Sequence, residues 1–223
     1  MGRILIACET LKDEFEMVMN TLNIHIPVHW MSNALHSSPD KLRRSLQDIL
    51  NTTTDYPYIL LGFGNCGNGL VGLQASSSTL IIPRFDDCID MLLCKNTHID
   101  SIRNNTYFLT KGWLRGESPV TKEFNYQLEK YGEKHSRRIL EILYHNYAYL
   151  MMIRTGTYEP SEILDEISPF LKLSGLTLIE GDGDLSILEK LLLGHWDEQF
   201  SIIPPGQQIN NGDFKNLSKP IIH

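Results

Sequence analysis

Long apolar runs are missing from this sequence. No stretch approaches the roughly 18 to 20 residues needed to span a bilayer, and Ile4-Leu5-Ile6-Ala7 is too short for the core of a secretion signal. The chain is therefore expected to work in the cytoplasm, without a membrane partner. Basic clusters are equally scarce: none is denser than Lys41-Leu42-Arg43-Arg44, and 27 Asp and Glu outweigh 20 Lys and Arg for a formal charge of -7. That balance argues against nucleic acid as a partner. Four cysteines in 223 residues fall far below the density of small secreted disulfide scaffolds, so free thiols or metal ligands are the better reading. No Cys-x-x-Cys pair is present, which speaks against a structural zinc knuckle. The P-loop spacing does not occur.

What is present is an alternation of short apolar runs and amphipathic stretches. Arg3 to Cys8 reads as a strand, followed by Leu11, Phe15, Val18, Met19 and Leu22 at helical spacing. Ile24 to Trp30 reads as a second strand and Leu42, Leu46, Ile49 and Leu50 as a second helix. Tyr56 to Leu61 forms a third strand that ends in Gly62-Phe63-Gly64-Asn65-Cys66-Gly67-Asn68-Gly69. The order β-α-β-α-β predicts a parallel sheet with crossover helices. Thr79 to Pro83 and Thr106 to Leu109 add strands, with a short helix from Ile89 to Leu93 between them.

Residues 117 to 154 read as one long helix or a broken pair. After it, Leu176 to Ile179 reads as strand, Gly181-Asp182-Gly183-Asp184 as a turn, Ser186 to Leu193 as a helix opened by a Ser186/Glu189 capping box, and Phe200 to Ile203 as strand. The expected fold is an α/β, parallel-sheet, Rossmann-like sandwich, with room for two similar lobes sharing a cleft. Residues 1–116 would be the α/β lobe with the cysteine motifs. Residues 117–223 would be the helical connection, a second α/β lobe and a polar covering tail.

In a parallel sheet, ligands bind outside the carboxyl ends of the strands, where loops and helix starts converge. Cys8, Cys66 and Cys88 each follow a predicted strand, so residues far apart in sequence are expected to meet there. A cysteine at a helix start tends toward thiolate, the form that ligates metals; alone, each is as readily a small buried hydrophobe. Cys94 reads as core. Gly64, Gly67 and Gly69 let backbone approach a ligand and offer amides to an anion, or serve only a tight turn. Arg84 suits a substrate carboxylate or phosphate. Asp86 and Asp87 stand beside Cys88 as candidate catalytic carboxylates, with Asp87 equally placed to cap the helix that follows. His36, in the loop after the second strand, is the candidate general base or nitrogen ligand.

The blocks Ala7-Cys8-x-x-Leu11-x-x-Glu14, Leu35-His36-x-x-Pro39-x-x-Leu42, Gly64-x-Cys66-Gly67-x-Gly69, Pro83-Arg84-x-x-Asp87-Cys88-Ile89 and Tyr107-x-Leu109-Thr110-x-Gly112-Trp113 resemble those of a bacterial and archaeal domain-of-unknown-function family. That family is common in anaerobes and often encoded near corrinoid-dependent methyltransferases. The resemblance covers about the first 115 residues, and Gly183 to Trp196 more weakly. Where the family usually has histidine before the Asp-Cys pair, this chain has Asp86; where it has glycine after the paired leucines, this chain has Cys94. The resemblance implies one-carbon or corrinoid-linked metabolism, with a corrinoid protein or methyltransferase as partner.

Two functions are expected from these residues. In the first, Cys8, Cys66 and Cys88 hold one metal centre, zinc or an iron-sulfur cluster, with a position open for a small-molecule substrate. Three thiolate ligands and the anaerobic setting favour the cluster. In the second, the protein is a non-catalytic accessory that binds a corrinoid or another small molecule, and the cysteines are incidental.

Overall fold

A computed structural model describes residues 2–115 and 120–214; the side chains of residues 36, 37, 120 and 123 lie outside this description. By compactness the chain forms two units, Met1–Met91 with Leu185–His223, and Leu92–Asp184. The division drawn from sequence fell at residues 116 and 117 instead. The physical reason for the difference is that the segment after residue 184 returns to the first sheet. Among the described residues no helix is long and apolar enough to cross a membrane.

The first unit is built on a five-stranded sheet of order β2-β1-β3-β4-β8, from β1 (Arg3–Cys8), β2 (Val28–Met31), β3 (Tyr58–Gly62), β4 (Thr79–Pro83) and β8 (Phe200–Ile203). The first four pair in parallel and β8 runs antiparallel to β4. Strands β1, β3 and β4 are near-continuous apolar runs whose last four residues are all buried, as a parallel sheet covered on both faces requires. Helix α1 (Lys12–Thr21) buries Phe15 and Val18, and α2 (Pro39–Thr52) buries Leu42, Leu46 and Leu50 at successive turns. The start of α2 is fixed twice over. Pro39 occupies the first turn, and the Ser38 hydroxyl accepts from Lys41 N–H at 3.4 Å. Beyond β8, Ile209 and Phe214 are buried against the sheet core, and Ile209 N–H donates to Leu73 O.

The second unit carries a parallel three-stranded sheet of order β5-β6-β7, from β5 (Thr106–Leu109), β6 (Tyr149–Arg154) and β7 (Thr177–Asp182). Helix α3 (Cys88–Leu92) belongs to the first unit up to Met91; in the second unit the short helices α4 (Ile99–Arg103) and α5 (Lys111–Leu114) precede α6 (Val120–Leu143), which is interrupted at Gly132 with φ 74° and ψ 169°. Helix α7 (Ser161–Ser174) packs on α6 through the edge-to-face pair Phe124 and Phe170, centroids 5.9 Å apart.

Three expectations change here. The apolar run Tyr149–Arg154, read as the end of a helix, is the central strand of this sheet; its Tyr, Leu and Met residues suit either structure. Gly181 and Asp182, read as turn, continue β7, and a Cβ at Gly181 would lie 2.7 Å from Met151 Sδ. Helix α8 (Ser186–Leu193), back in the first unit, is capped by Leu185, whose side chain makes no capping hydrogen bond, in place of the expected capping box.

Gly62 shows how tightly the first sheet meets α1. A Cβ there would lie 2.6 Å from Ala7 Cβ and 2.8 Å from the Phe15 ring, both fully buried. Gly62→Ala is therefore expected to lower stability by about 1 to 3 kcal/mol, measured as a lower urea midpoint with an unchanged slope.

Candidate functional site

Cys8 is the last residue of β1 and caps the 3-10 turn Glu9–Leu11. Its Sγ accepts from Thr10 N–H at 3.4 Å, and its S–H donates to Thr10 Oγ1 at 3.3 Å. Thr10 and Glu14 are both 1% exposed. A buried carboxylate in the first turn of α1 is unusual for a surface helix.

Past β3 the chain makes a single left-handed turn. Cys66, Gly67 and Asn68 have φ of 48°, 66° and 69°, and Gly69 N–H donates to Asn65 O at 2.9 Å and to Cys66 O at 3.3 Å. Left-handed backbone suits glycine and is tolerated by asparagine, whereas for cysteine it costs about 1 to 2 kcal/mol. The turn persists because other contacts fix it. Arg43 Nη2 donates to Asn68 O at 2.6 Å, and Asn65 Nδ2 to Asn68 Oδ1 at 2.8 Å.

The same turn is bonded to the loop after β4. Asn65 N–H donates to Phe85 O and Cys66 N–H to Asp86 O, each at 2.9 Å. Gly64 makes this approach possible, since a Cβ there would meet Asp87 Cα at 2.5 Å. Gly69 packs against Leu42, and Gly67 combines its positive φ with contact to Pro39. Each of the three glycines thus has a packing or backbone requirement, and the amides of Asn65, Cys66 and Gly69 are bonded within the protein.

Cys88 opens α3. Asp87 caps this helix, its Oδ1 accepting from Asp90 N–H at 2.9 Å. Asp86 is exposed, Arg84 half-buried and Cys88 buried. His36 belongs to the 3-10 turn Asn33–Ser37 after β2, and its side chain lies outside the described residues. Cys94, expected in the core, is half-buried in the second unit, where its S–H donates to Asp184 Oδ1 at 3.6 Å. Asp184 also pairs with Lys95.

The three thiols at the sheet edge sense one another. Burial pushes Cys66 up to about 12, assisted by the negative charges that Cys8 and Asp87 would carry. Cys88 is raised well above the ordinary thiol value by burial first, then by Cys66, Asp87 and Cys8. Cys8 is raised by burial, and its two bonds with Thr10 oppose this. The expected drift toward thiolate is therefore reversed, because loss of hydration outweighs a helix start as short as α3. Among the described residues no group of three or more His, Cys, Asp or Glu side chains is arranged to hold a metal ion. A surface groove of about 610 Å³ lined by Glu16, Asn20 and His25 lies at the far end of α1 from Cys8 and contains none of Cys8, Cys66, Cys88, Arg84, Asp86 and Asp87.

Reading the sequence alone left out Thr10, Glu14, Asn33 and Asn65 as site residues. Glu14 stood within the first motif block, and its place at a helix start beside apolar Leu11 and Phe15 was the available signal. Asn33 is 8% exposed, yet in sequence it looks like any asparagine ahead of a turn.

The fold is that of an α/β protein with a mostly parallel sheet, and the segments that leave its carboxyl edge carry Cys8 and Cys88, both buried, and the half-buried Cys66. The chain belongs to the family described as Protein of unknown function (DUF1638), whose model matches residues 30–192. Cys66 and Cys88 lie within the matched span, and Cys8 precedes it. No curated protein and no solved structure matches the chain.

The raised thiol values fix a pH dependence. A folded value of about 12 against an ordinary 9.0 for Cys66 means the folded state holds this proton more tightly than the unfolded chain. The resulting stability is complete below pH 9.0 and is lost as pH rises toward about 12. Thermal melts of metal-free protein across that window should show a steeper fall for the parent than for Cys66→Ser. Parallel curves would remove Cys66 as the group responsible.

Proposed function

We propose that the carboxyl edge of the five-stranded sheet is a metal-thiolate site, with Cys8, Cys66 and Cys88 as ligands of an iron-sulfur cluster or zinc, serving an enzyme of small-molecule metabolism. The observation that carries this reading is the convergence of three thiols from β1, the β3 turn and α3 within electrostatic reach of one another. The left-handed conformation of Cys66 adds support, since backbone strain that the surroundings hold in place is concentrated at functional sites.

Three thiolates are soft donors suited to zinc or iron, and such a centre supplies a Lewis acid with one position open to substrate. The protein's own part is to hold the donors. Binding would displace the thiol protons and draw the sulfurs together from their present arrangement. Asp87 positions Cys88 by capping α3. Arg84 is the cation for a substrate anion, and Asp86 and His36 are the candidate acid-base groups. A link to one-carbon or corrinoid metabolism, with a corrinoid protein or methyltransferase as partner, rests on the family resemblance.

The test is metal and acid-labile sulfide content of protein purified without oxygen. The parent and Cys94→Ser should carry metal, whereas Cys66→Ser should keep its helix content by circular dichroism and lose most of the metal. Replacing a merely buried cysteine would cost about 1 to 3 kcal/mol of stability and no bound species. Equal metal in all three proteins, or a colourless metal-free parent that binds a corrinoid, overturns the proposal.

A further inference from the structure

The segment that follows Cys66 is laid along one face of α2. Pro39, Arg43 and Gln47 recur every four residues and so share that face. They meet the chain from Gly67 to Gln74 in order. Pro39 Cγ lies 3.3 Å from where a Cβ on Gly67 would stand, Arg43 Nη2 donates to Asn68 O at 2.6 Å, and Arg43 Cδ lies 3.9 Å from the Cβ position of Gly72. At the far end Gln47 Nε2 donates to Gln74 O at 2.8 Å, and Gln74 N–H donates to Gln47 Oε1 at 3.1 Å.

The two polar contacts act on different parts of this segment. The Gln47 pair holds the backbone of Gln74, well past the thiol turn, where the chain also bridges to Gln208. Arg43 ends instead on the last of three successive left-handed residues, Cys66, Gly67 and Asn68. Such residues rarely follow one another, and the side chains of Cys66 and Asn68 oppose the conformation. A guanidinium donor is stronger than a neutral amide, and Nη1 of the same group is anchored on Asp40 Oδ1 at 2.9 Å. The bonds from Gly69 N–H and Asn65 Nδ2 stay within the loop, and those from Asn65 N–H and Cys66 N–H reach a second loop. Arg43 ties the turn to a 14-residue helix whose start Ser38 and Pro39 fix.

We propose that Arg43 is the positioning residue of the thiol edge: through Asn68 O it holds the left-handed turn that sets the direction of Cys66. The inference rests on the reading of that edge as a metal-thiolate site, yet the hold on the turn exists without metal and is measured without it.

Amide hydrogen exchange and zinc binding on the full chain, purified without oxygen, test it with Gln47→Ala as the comparison. In metal-free protein Arg43→Met should speed exchange of the Gly69 amide, which closes the turn, by about 10- to 100-fold beyond any change at the buried Leu60 amide. Iodoacetamide should then label Cys66 faster, with Cys8 and Cys88 keeping the parent's rates. Gln47→Ala removes two bonds from the same helix face. It should lower the urea midpoint and leave Gly69 exchange within about twofold of the parent. Zinc affinity, measured by competition with a chromophoric chelator, should fall about 10- to 100-fold in Arg43→Met and stay within about twofold in Gln47→Ala. If Arg43→Met does not fold, Arg43→Gln, whose side chain ends short of Asn68 O, takes its place. Unchanged Gly69 exchange in the Arg43 variant, equal losses in both variants, or parental zinc affinity in spite of a loosened turn overturns the inference. A parent that binds no zinc removes the thiolate centre, and faster Gly69 exchange confined to the Arg43 variant then still assigns Arg43 to the turn.

Discussion

Two backbone hydrogen bonds, from Asn65 N–H to Phe85 O and from Cys66 N–H to Asp86 O, hold the loops that leave β3 and β4 against each other. Everything proposed for the edge depends on this contact. It brings the segment bearing Cys66 to the one bearing Cys88, and it requires Gly64, whose lack of a side chain lets the backbones approach. It also ties the conformation of Cys66 to its neighbours, because the left-handed turn is pinned from the Asp86 side and from the Arg43 side. Backbone atoms make the contact, so side-chain substitution at Asp86 leaves it in place.

Burial of the thiols has a chemical meaning distinct from reactivity. A cysteine whose value is raised is a poor free nucleophile at neutral pH and resists chance oxidation, since the thiolate is the reacting form. A soft metal ion changes that balance by replacing the protons directly. Three neighbouring thiols that discourage one another's ionisation suit a site that ionises with a cation present. They suit a freestanding cysteine nucleophile much less.

The sheet of the first unit was legible in the sequence because parallel strands buried on both faces are uniform apolar runs, and Ile4 to Ala7, Ile59 to Leu61 and Leu80 to Ile82 are such runs. The same uniformity concealed β6: Tyr149 to Arg154 carries no alternation to separate strand from helix, and it follows α6 closely. Helix α7, with Pro169 inside it, gave no sequence signal that was read as a helix. At the site, the placement of Cys8, Cys66 and Cys88 after strands was legible from chain order. Their protonation was not, because it depends on how much hydration the tertiary fold removes. The reasons for Gly64 and Gly69 were hidden for a related cause, since each answers to an atom distant in sequence, Asp87 Cα and Leu42 Cδ2.

The edge strand of the first sheet, β8, comes from residues 200–203 and pairs antiparallel with β4 at residues 80–83. During synthesis the amino-terminal strands therefore emerge long before the partner that covers β4, while the whole of Leu92–Asp184 is translated in between. Until then β4 presents an open, apolar flank, the kind of exposed edge on which nascent chains associate wrongly. A ribosome stalled within the second unit would release a first unit without its outer strand, so the nascent chain would depend on chaperones most through the middle third of translation.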